Sequence, residues 1–444
     1  MIVVFILGYA AIALEHPLRV NKSATALLLA VTLWILFAVG GASFLENTSG
    51  FQDYIINNAD GSFPDWLSNH ALPEHLGEIS GILFFLLGAM TIVELIDAHE
   101  GFRIITDKIK TTNKVKLLWV ISIITFFLSA VLDNLTTAIV MVALLRKLIN
   151  DKKERWFFAG MVIVAANSGG AFSPIGDVTT IMLWIGGHVT TVNIILKTFL
   201  SSALSMVIPL ALISLTMKGH IQKPARVTAD HANTTTPVER NVVFFLGIGS
   251  LLSVPIFKMV TNLPPYMGIL LGLGILWIVT EIMHKSKNEA YRPMVTVAGV
   301  IRRIDTPSVL FFLGILLAVA ALQSAGHLDL LASLLDKHVG NLYLINVFIG
   351  LLSSVVDNVP LVAGAMGMYH DIFPPDHYFW EMLAYSAGTG GSILIIGSAA
   401  GVAVMGMEKI DFIWYLKKIS LWALIGYLAG SITYWAMSVL VFHS

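Results

Sequence analysis

Three aspartates lie in the middle of long apolar runs of the sequence: Asp133, Asp177 and Asp357. A carboxylate buried at the depth of a membrane costs on the order of several kcal/mol unless it is paired, hydrated or protonated. The interruptions of the runs around these aspartates contain no Lys or Arg that could pair with them. The pattern therefore favours a cation or a proton as the partner of each carboxylate.

Amide and hydroxyl side chains accompany the aspartates in the same interruptions. They are Asn134, Thr136, Thr137, Asn167, Ser168, Thr179, Thr180, Asn358, Thr389 and Ser398. Ligation by oxygen alone suits a hard cation. The chain has no Cys, and no His falls in an interruption, which argues against zinc or copper. We expect no cofactor and no catalytic residue.

Some of these residues have simpler explanations. An aspartate at a hairpin tip or a helix start can serve only to cap the helix that follows, although three aspartates at one depth make capping alone a weaker explanation. Glu78 and Glu94 lie at opposite ends of one apolar run and are either interfacial or pH-sensing. His99, which follows that run, either is solvated or senses pH.

Composition places these residues in an all-α polytopic membrane protein whose main partner is the lipid bilayer. Of the 444 residues, 56% are hydrophobic and 12% are charged, against about 25% charged in soluble proteins. The net charge of −1 gives no basic excess for nucleic acid. The sequence also contains no P-loop motif for nucleotide binding.

Apolar runs of spanning length predict the simple membrane spans. They are 23–44, 79–97, 192–217, 241–258, 264–283, 306–323 and 412–441. The shorter run 1–14 is either a trimmed first span or the core of a signal peptide, although no basic residue precedes it.

Four further runs are interrupted by polar residues, Gly and Pro. Run 117–145 is interrupted at Asp133-Asn134; run 156–187 at 167–170 and 174–177; run 341–369 at 357–360; and run 378–407 at 388–391 and 397–398. Irregular backbone at membrane depth is tolerated only where protein or a water-filled cavity surrounds it. The interruptions therefore predict a shared internal site.

The two halves of the chain repeat one another. Phe84 corresponds to Phe311, Asp133 to Asp357 and Asn167 to Gly388, at offsets of 227, 224 and 221 residues. We therefore predict a first repeat over 1–217, a linker over 218–240 and a second repeat over 241–444. The second repeat has Ser398 where the first has Asp177, so a symmetric fold should hold an asymmetric site.

The distribution of Lys and Arg predicts the topology, because these residues mark the cytoplasmic side. Six short segments hold 24 of the 27, whereas 45–77 holds none and carries five acidic residues. Run 117–145 is basic at both ends, which predicts a re-entrant hairpin, and 341–369 is its counterpart from the other side. Each repeat then has five crossings, one hairpin and one broken helix over 156–187 or 378–407. Five crossings invert the second repeat and place both chain termini outside.

Three segments resemble the NhaD-type sodium/proton antiporters of the ion transporter superfamily, which also contains arsenite permeases and dicarboxylate symporters. These segments are 129–137, with Asp133-Asn134 at its centre, 167–180, which ends in Ser-Pro-Ile-Gly-Asp-Val-Thr-Thr, and 353–360, with Asp357-Asn358. The resemblance covers nearly the whole chain. The Asp-Asn tips are common to arsenite-type permeases, while dicarboxylate symporters typically have Ser-Asn-Thr there.

The resemblance implies exchange of Na⁺ or Li⁺ for H⁺ across a bacterial inner membrane, and a homodimer whose transport domain moves against a scaffold. The family pattern carries over to Asp133, Asn134, Asn167, Asp177, Thr179, Thr180, Asp357 and Asn358. We assign the main Na⁺ site to Asp133, Asn134, Asn167 and Asp177, and a proton-exchanging or weaker site to Asp357.

Three other functions compete with antiport. An arsenite- or dicarboxylate-type permease is disfavoured by a site with three acidic and no basic residues. An intramembrane aspartyl protease would carry Gly-x-Gly-Asp, and here Pro174 stands in place of the first Gly. An ion channel suits two opposed hairpins less well than alternating access does.

Overall fold

The computed structural model describes residues 1–13, 19–40, 51, 54–56, 62–106, 109, 111–222, 235–285, 292–355 and 358–442. Within these ranges the regular structure is helical, and eight helices are long and apolar enough to cross a membrane. The prediction of an all-α polytopic membrane protein is confirmed.

Eighteen helices of seven or more residues make up the described fold. They are α1 (Ile2–Ala13), α2 (Lys22–Val39), α3 (Leu72–Ala98), α4 (Lys114–Leu132), α5 (Asn134–Leu148), α6 (Lys152–Ala171), α7 (Val178–Ile185), α8 (Thr191–Thr216), α9 (Pro237–Thr261), α10 (Pro265–Met283), α11 (Thr306–Ser324), α12 (His327–His338), α13 (Leu342–Ser353), α14 (Asn358–Tyr369), α15 (Tyr378–Gly390), α16 (Ala399–Glu408), α17 (Phe412–Lys418) and α18 (Ser420–Met437).

Three predicted boundaries are wrong for local reasons. Helix α9 begins inside the predicted linker, because Thr236 and Glu239 form a capping box that starts it at Pro237. Helix α3 begins at Leu72 rather than 79, so part of the predicted external loop 45–77 is helical. The predicted span 412–441 is divided at Ile419 into α17 and α18.

The chain forms two compact units. The first comprises Met1–Phe84, Asp305–Ile345 and Val359–Pro374; the second comprises Phe85–Ile304, Asn346–Asn358 and Pro375–Ser444. In the first unit α2 packs closely on α11, where the Trp34 indole donates to the Leu317 carbonyl at 2.9 Å. The second unit holds both broken helices. Each unit combines segments from both sequence halves, and the division into repeats stays a prediction.

The two ends of run 117–145 lie side by side. The Lys114 ammonium at the start of α4 pairs with Glu154 at the start of α6. Nearby, Lys114 N donates to Gly219 O at 3.1 Å, and Asn150 N, just after α5, donates to Gln222 O at 2.9 Å. The run therefore returns to its starting side after the interruption at Asp133. Its re-entrant position in the membrane stays a prediction.

Each broken helix consists of a long first part and a short second part. Helix α6 ends at Ala171 and α7 begins at Val178, while α15 ends at Gly390 and α16 begins at Ala399. The interruptions predicted at 174–177 and 397–398 are therefore present. The interruption predicted at 167–170 is wrong, because these residues complete the last turn of α6. That predicted at 388–391 is present only at Gly391, because 388–390 complete the last turn of α15.

Glycine in those last turns allows backbones to approach closely. A Cβ at Gly169 would lie 2.0 Å from Phe126 O of α4, and one at Gly390 would lie 2.0 Å from Gly350 O of α13. Only Gly permits such contacts. The glycines that look like helix breakers in the sequence thus allow α6 to pack closely against α4 and α15 to pack closely against α13.

A buried carboxylate joins the end of α16 to the end of α5 and the start of α6. Glu408 accepts from Arg146 Nε at 2.6 Å and from Arg155 Nε at 2.7 Å, while its carbonyl accepts from Trp156 Nε1 at 3.0 Å. The second half of one broken helix therefore ends beside the beginning of the other.

A second buried carboxylate lies at the start of α15. Glu381 is fully buried and accepts from Lys197 Nζ at 2.8 Å, Asn193 Nδ2 at 2.5 Å and the Tyr434 hydroxyl at 2.5 Å. These donors come from α8 and α18. Close by, Asp376 N donates to His188 O, just after α7, at 2.8 Å. The start of α15 is thus beside the end of α7, the reverse of the Glu408 contact.

Candidate cation site

The first hairpin turns at one residue, Asp133, between α4 and α5. Its backbone has φ 111°, which is uncommon outside glycine and strains the tip. The carboxylate caps α5: Oδ1 accepts from Thr136 N at 2.7 Å and Oδ2 accepts from the Thr136 hydroxyl at 2.8 Å. The capping function expected as an alternative is therefore real, and both Asp133 oxygens contribute to it.

Asn134 connects the hairpin tip to the first broken helix. Its amide nitrogen donates to Asp177 Oδ2 at 2.6 Å and to Asn167 Oδ1 at 3.0 Å. Its own amide oxygen accepts from Leu135 N at 2.8 Å. Three of the four residues assigned to the main Na⁺ site are thus joined directly, and Asp133 precedes them in the chain.

Asp177 opens α7 and is buried, with 1% of its surface exposed. Its Oδ1 accepts from Thr179 N and from the Thr179 hydroxyl, each at 2.9 Å, while Oδ2 accepts from Asn134. These donors are neutral groups. The Asp133 and Asp177 carboxylates also lie close enough to repel one another electrostatically. Two neighbouring anions held by neutral donors attract a cation.

Asn167 extends the cluster to the second broken helix. Its amide nitrogen donates to the hydroxyls of Ser392 and Ser398, at 3.0 Å each, on either side of the second interruption. Ser398 also caps α16 by accepting from Gly401 N at 3.1 Å. Ser392 was not among the residues singled out in the sequence; it stands two residues beyond Gly390, where only the folded loop turns it toward Asn167.

The opposite side of the cluster has no equivalent amide. A Cβ added at Gly388, the counterpart of Asn167, would lie 3.6 Å from Asp177 Oδ2 and 3.2 Å from Ala171 Cβ. Asp177 thus faces a glycine where its counterpart Ser398 faces Asn167. The two broken helices therefore present different groups to the cluster, and the asymmetric cation site stays a prediction.

The remaining predicted oxygens fall into two groups. The Thr137 and Thr180 hydroxyls, in the first turns of α5 and α7, are buried without a hydrogen-bond partner, as is the Asn358 amide nitrogen. In contrast, Ser168 accepts from Ser205 on α8 at 2.7 Å, and Thr389 donates to Tyr385 O at 2.5 Å within its own helix. Thr137 and Thr180 are therefore available as ligands, whereas Ser168 and Thr389 are engaged elsewhere.

Several predicted residues lie outside this cluster or outside the described chain. Asp357 falls outside the described residues. Glu78 is 3.7 Å from His75, and Glu94 is 3.8 Å from Arg303. His99 is fully buried against His284, so its interpretation as a solvated residue is wrong.

Charge decides what the cluster can bind. The helix starts at Asp133, Asp177 and Ser398 each contribute a partial positive charge of about half a unit. The two carboxylates each carry a full negative charge and outweigh it. Carboxylate, amide and hydroxyl oxygens without a sulfur or imidazole ligand suit a hard monovalent or divalent cation.

Ser398→Ala and Ser392→Ala each remove one hydroxyl that accepts from Asn167, without removing charge. We expect both variants to retain cation transport with an apparent cation requirement raised about 3- to 10-fold, because a neutral buried hydrogen bond contributes about 1 kcal/mol. Concentration-dependence of transport measures this, with Thr389→Ala, which leaves Asn167 untouched, as the control. An unchanged requirement in both serine variants would contradict the placement of Asn167.

The chain matches a family model and several named transporters over most of its length. The citrate transporter family model, CitMHS, matches residues 9–384. Sodium/proton antiporter 1 of Arabidopsis thaliana is 48% identical to the chain, and the match covers 100% of the chain and 73% of the relative. Sodium/proton antiporter 2 of the same plant is 46% identical, and the match covers 98% of the chain and 99% of the relative. The Na⁺/H⁺ antiporter NhaD of Vibrio cholerae is 29% identical, and the match covers 94% of the chain and 87% of the relative. The chain belongs to the citrate transporter family and, within it, to the NhaD-type sodium/proton antiporters.

Proposed function

We propose that the protein exchanges Na⁺ or Li⁺ for H⁺ across a membrane by secondary transport. The observation that carries the proposal is the Asn134 amide, which joins the hairpin tip to Asp177 and Asn167 in one buried cluster. The relatives with the highest identities cited above bear names that describe this exchange. In this proposal a cation and a proton compete for the carboxylates of the cluster, and the hydrogen bonds of Asn134 support placing these carboxylates together.

In this mechanism Na⁺ enters when Asp133 and Asp177 are ionised, and Asp177 Oδ2 turns from the Asn134 amide toward the ion. The buried hydroxyls of Thr137 and Thr180 and the Asn167 amide oxygen provide further ligands. Protonation of the carboxylates removes the attraction and releases Na⁺. In this proposal the two carboxylates act together, so the proton is assigned to the pair rather than to either residue.

The second hairpin completes the proposal. Asp357 is proposed to exchange a proton with the main site or to hold a weaker cation site, and Asp357→Asn is expected to reduce exchange sharply. The Gly169 and Gly390 contacts, and the reversed placement of Glu381 and Glu408, support two inverted repeats that move around a common centre.

Citrate or another carboxylate anion is the second candidate substrate, because the matching family model is described as a citrate transporter. Three helix starts that meet at the cluster would favour an anion. The Asp133 and Asp177 carboxylates oppose it, and the basic side chains Arg146, Arg155 and Lys197 are bound to Glu408 and Glu381.

Transport by the reconstituted full chain separates these substrates. In proteoliposomes with a preset pH gradient, NaCl or LiCl is expected to dissipate the gradient, whereas KCl with valinomycin, citrate and arsenite are not. Gradient dissipation by citrate without Na⁺ would assign the protein to the second candidate function.

We further propose a location in a bacterial inner membrane, with 45–77 and both termini outside and 99–116, 146–155, 218–240 and 284–304 inside. The contacts of Lys114, Asn150 and Gln222 support placing three of these segments together. A homodimer in the bilayer is proposed from the resemblance to NhaD-type antiporters, and light scattering of the purified protein tests it.

Cysteine labelling tests the topology, because the chain has no Cys of its own. A cysteine at the exposed Asn150 is expected to react with a membrane-impermeant maleimide only in inside-out vesicles. A cysteine at Asp65, in the proposed external segment, is the control and should react only in right-side-out vesicles. Labelling of both positions from the same side would contradict the hairpin over 117–145.

A further inference from the structure

Two histidines form a buried pair where three helices meet. His99 follows the end of α3, His284 follows the end of α10, and both are completely buried. Their Nε2 atoms are 2.7 Å apart, and the ring centroids are 5.0 Å apart at an interplanar angle of 24°. Glu239, in the first turn of α9, places its Oε1 3.6 Å from His284 Nδ1.

The contacts fix where the protons lie. His99 Nδ1 is 2.7 Å from Leu95 O, a carbonyl that only accepts, so Nδ1 carries a hydrogen. In a neutral ring His99 Nε2 is then an acceptor, and His284 Nε2 donates to it. His284 Nδ1, the remaining nitrogen, points its lone pair toward the Glu239 carboxylate.

One added proton therefore fits this arrangement and a second does not. A proton on His284 Nδ1 turns the contact with Glu239 into an imidazolium–carboxylate pair and keeps the hydrogen bond between the rings. A further proton on His99 Nε2 would place two N–H groups against one another. The geometry is that of a site for a single proton.

We infer that His99, His284 and Glu239 form a regulatory proton-binding site, separate from the cation site, whose occupancy sets the rate of exchange. The inference rests on the proposed Na⁺/H⁺ exchange. When the proton is bound, it ties the start of α9 to the ends of α3 and α10. When the proton leaves, the lone pair of His284 and the carboxylate of Glu239 repel, and the three ends are released.

Other charged groups lie on the elements around the pair. On the α3 side Asp97 lies near Lys147 of α5 and Arg303, and Glu100 pairs with Arg103 at 2.7 Å. Arg240 follows Glu239 on α9, Glu281 lies on α10 and the exposed Lys285 follows His284. Glu239 Oε1 is within ion-pair distance of His284 Nδ1, while its Oε2 accepts from Thr236 N at 2.7 Å. Arg303 lies 3.8 Å from Glu94.

The same helices contact the element that carries Asp177. The Phe85 ring of α3 packs edge-on against Trp184 of α7, with ring centroids 6.4 Å apart. Lys258 of α9 donates to Trp184 O at 2.8 Å and lies 4.7 Å from the centre of its ring. Helix α7 begins at Asp177. A change in how α3 and α9 meet at the histidine pair therefore bears on the half-helix that Asp177 caps.

The direction follows from the sign of the charges. At low pH the bound proton holds α3 and α9, and through them α7, in one arrangement. As pH rises the proton leaves and α7 is freed to move. Exchange should therefore increase when pH rises on the side of the membrane where the histidine pair lies. This increase adds to the one caused by weaker proton competition at Asp133 and Asp177.

The test is the pH profile of exchange by the full chain in proteoliposomes. His284→Gln cannot carry the charge, and Glu239→Gln removes the partner of that charge. Both variants are expected to shift the half-activation pH toward acid by about one unit, since an ion pair at this distance is worth more than the 1.4 kcal/mol that corresponds to one unit. The maximal rate and the Na⁺ KM at high pH should stay within about 2-fold. Lys285→Gln, an exposed neighbour, is the control and should shift the profile by less than about 0.2 unit.

A second measurement does not depend on transport. Binding of the proton stabilises the folded protein at low pH, and this stabilisation is lost when the proton leaves at higher pH. The melting temperature of the purified wild-type protein should therefore fall relative to that of His284→Gln as pH rises. The inference would be overturned if the melting temperatures of wild type and His284→Gln changed in parallel with pH and if the pH profiles of exchange by the folded variants superimposed on that of wild type. A wild-type protein that melts as described but exchanges no Na⁺ would instead refute the proposed function.

Discussion

Asp177→Asn is expected to abolish Na⁺-dependent dissipation of a pH gradient while the protein still folds. The substitution keeps an oxygen at Oδ1, which can still accept from Thr179 N and cap α7. It replaces the negative oxygen that accepts from Asn134 at 2.6 Å with an NH₂ group, so that two donors face one another. Loss of one full charge next to a bound cation costs a few kcal/mol at an effective dielectric of about 20. The apparent Na⁺ affinity should fall more than about 100-fold.

The matched variant is Asp133→Asn, which keeps the cap on α5 and a residue type that tolerates the positive φ of the tip. We expect the same loss of exchange. Asp177→Ser, which caps a helix without charge, is the control for the capping function. Near-normal exchange in Asp177→Asn would refute the asymmetric site. Normal exchange in both Asn variants, which keep the two helix caps, would show that the aspartates act as caps alone.

Lys197→Met is expected to produce the largest loss of stability of any single substitution considered above. It leaves the fully buried Glu381 carboxylate without its cation, with only Asn193 and Tyr434 as donors. Removing one partner of a buried ion pair costs about 3–5 kcal/mol. The melting temperature of the purified protein should fall by about 10 °C.

The double variant Lys197→Met/Glu381→Gln distinguishes this cause from lost packing. Neutralising both partners removes the unpaired charge, so most of the lost stability should return. Lys218→Met, at an exposed position, is the control and should change stability by less than about 0.5 kcal/mol. A double variant as unstable as Lys197→Met alone would contradict the ion-pair explanation.

The residues that the structure joins in the buried cluster can be picked out from the sequence. Asp133, Asn134, Asn167 and Asp177 stand out as polar residues in apolar runs, and the offset of the repeat brings Ser398 and Gly388 into the comparison. A buried carboxylate needs donors or a cation, and this requirement alone draws the tip and the break together. The helical spans follow from run length in the same way.

The pairings that the sequence does not reveal are those between residues that are distant in the chain. Lys197 and Glu381 are 184 residues apart, and His99 and His284 are 185 apart. Each lies near the end of a span, where a charged residue is ordinary and invites no search for a partner. Ser392 is hidden for another reason: it sits in a Gly-Ser loop, and only the backbone turn between α15 and α16 directs it to Asn167.

The end of α6 shows how packing overrides local preference. Asn167, Ser168, Gly169 and Gly170 have low helix propensity and predict a break. The structure keeps them helical because Gly169 lets α4 approach to a distance that any side chain would block. The break moves to Phe172–Asp177, where Pro174 cannot donate to a helix.

Calorimetric measurement of Na⁺ binding by the purified protein tests the central claim most directly. If Na⁺ and H⁺ compete for Asp133 and Asp177, the apparent dissociation constant should rise about 10-fold for each unit of pH decrease per proton displaced. Titration in two buffers with different ionisation enthalpies should show proton release on Na⁺ binding, and Asp177→Asn should show neither binding nor release. Tight Na⁺ binding that is independent of pH, without proton release, would contradict a shared site.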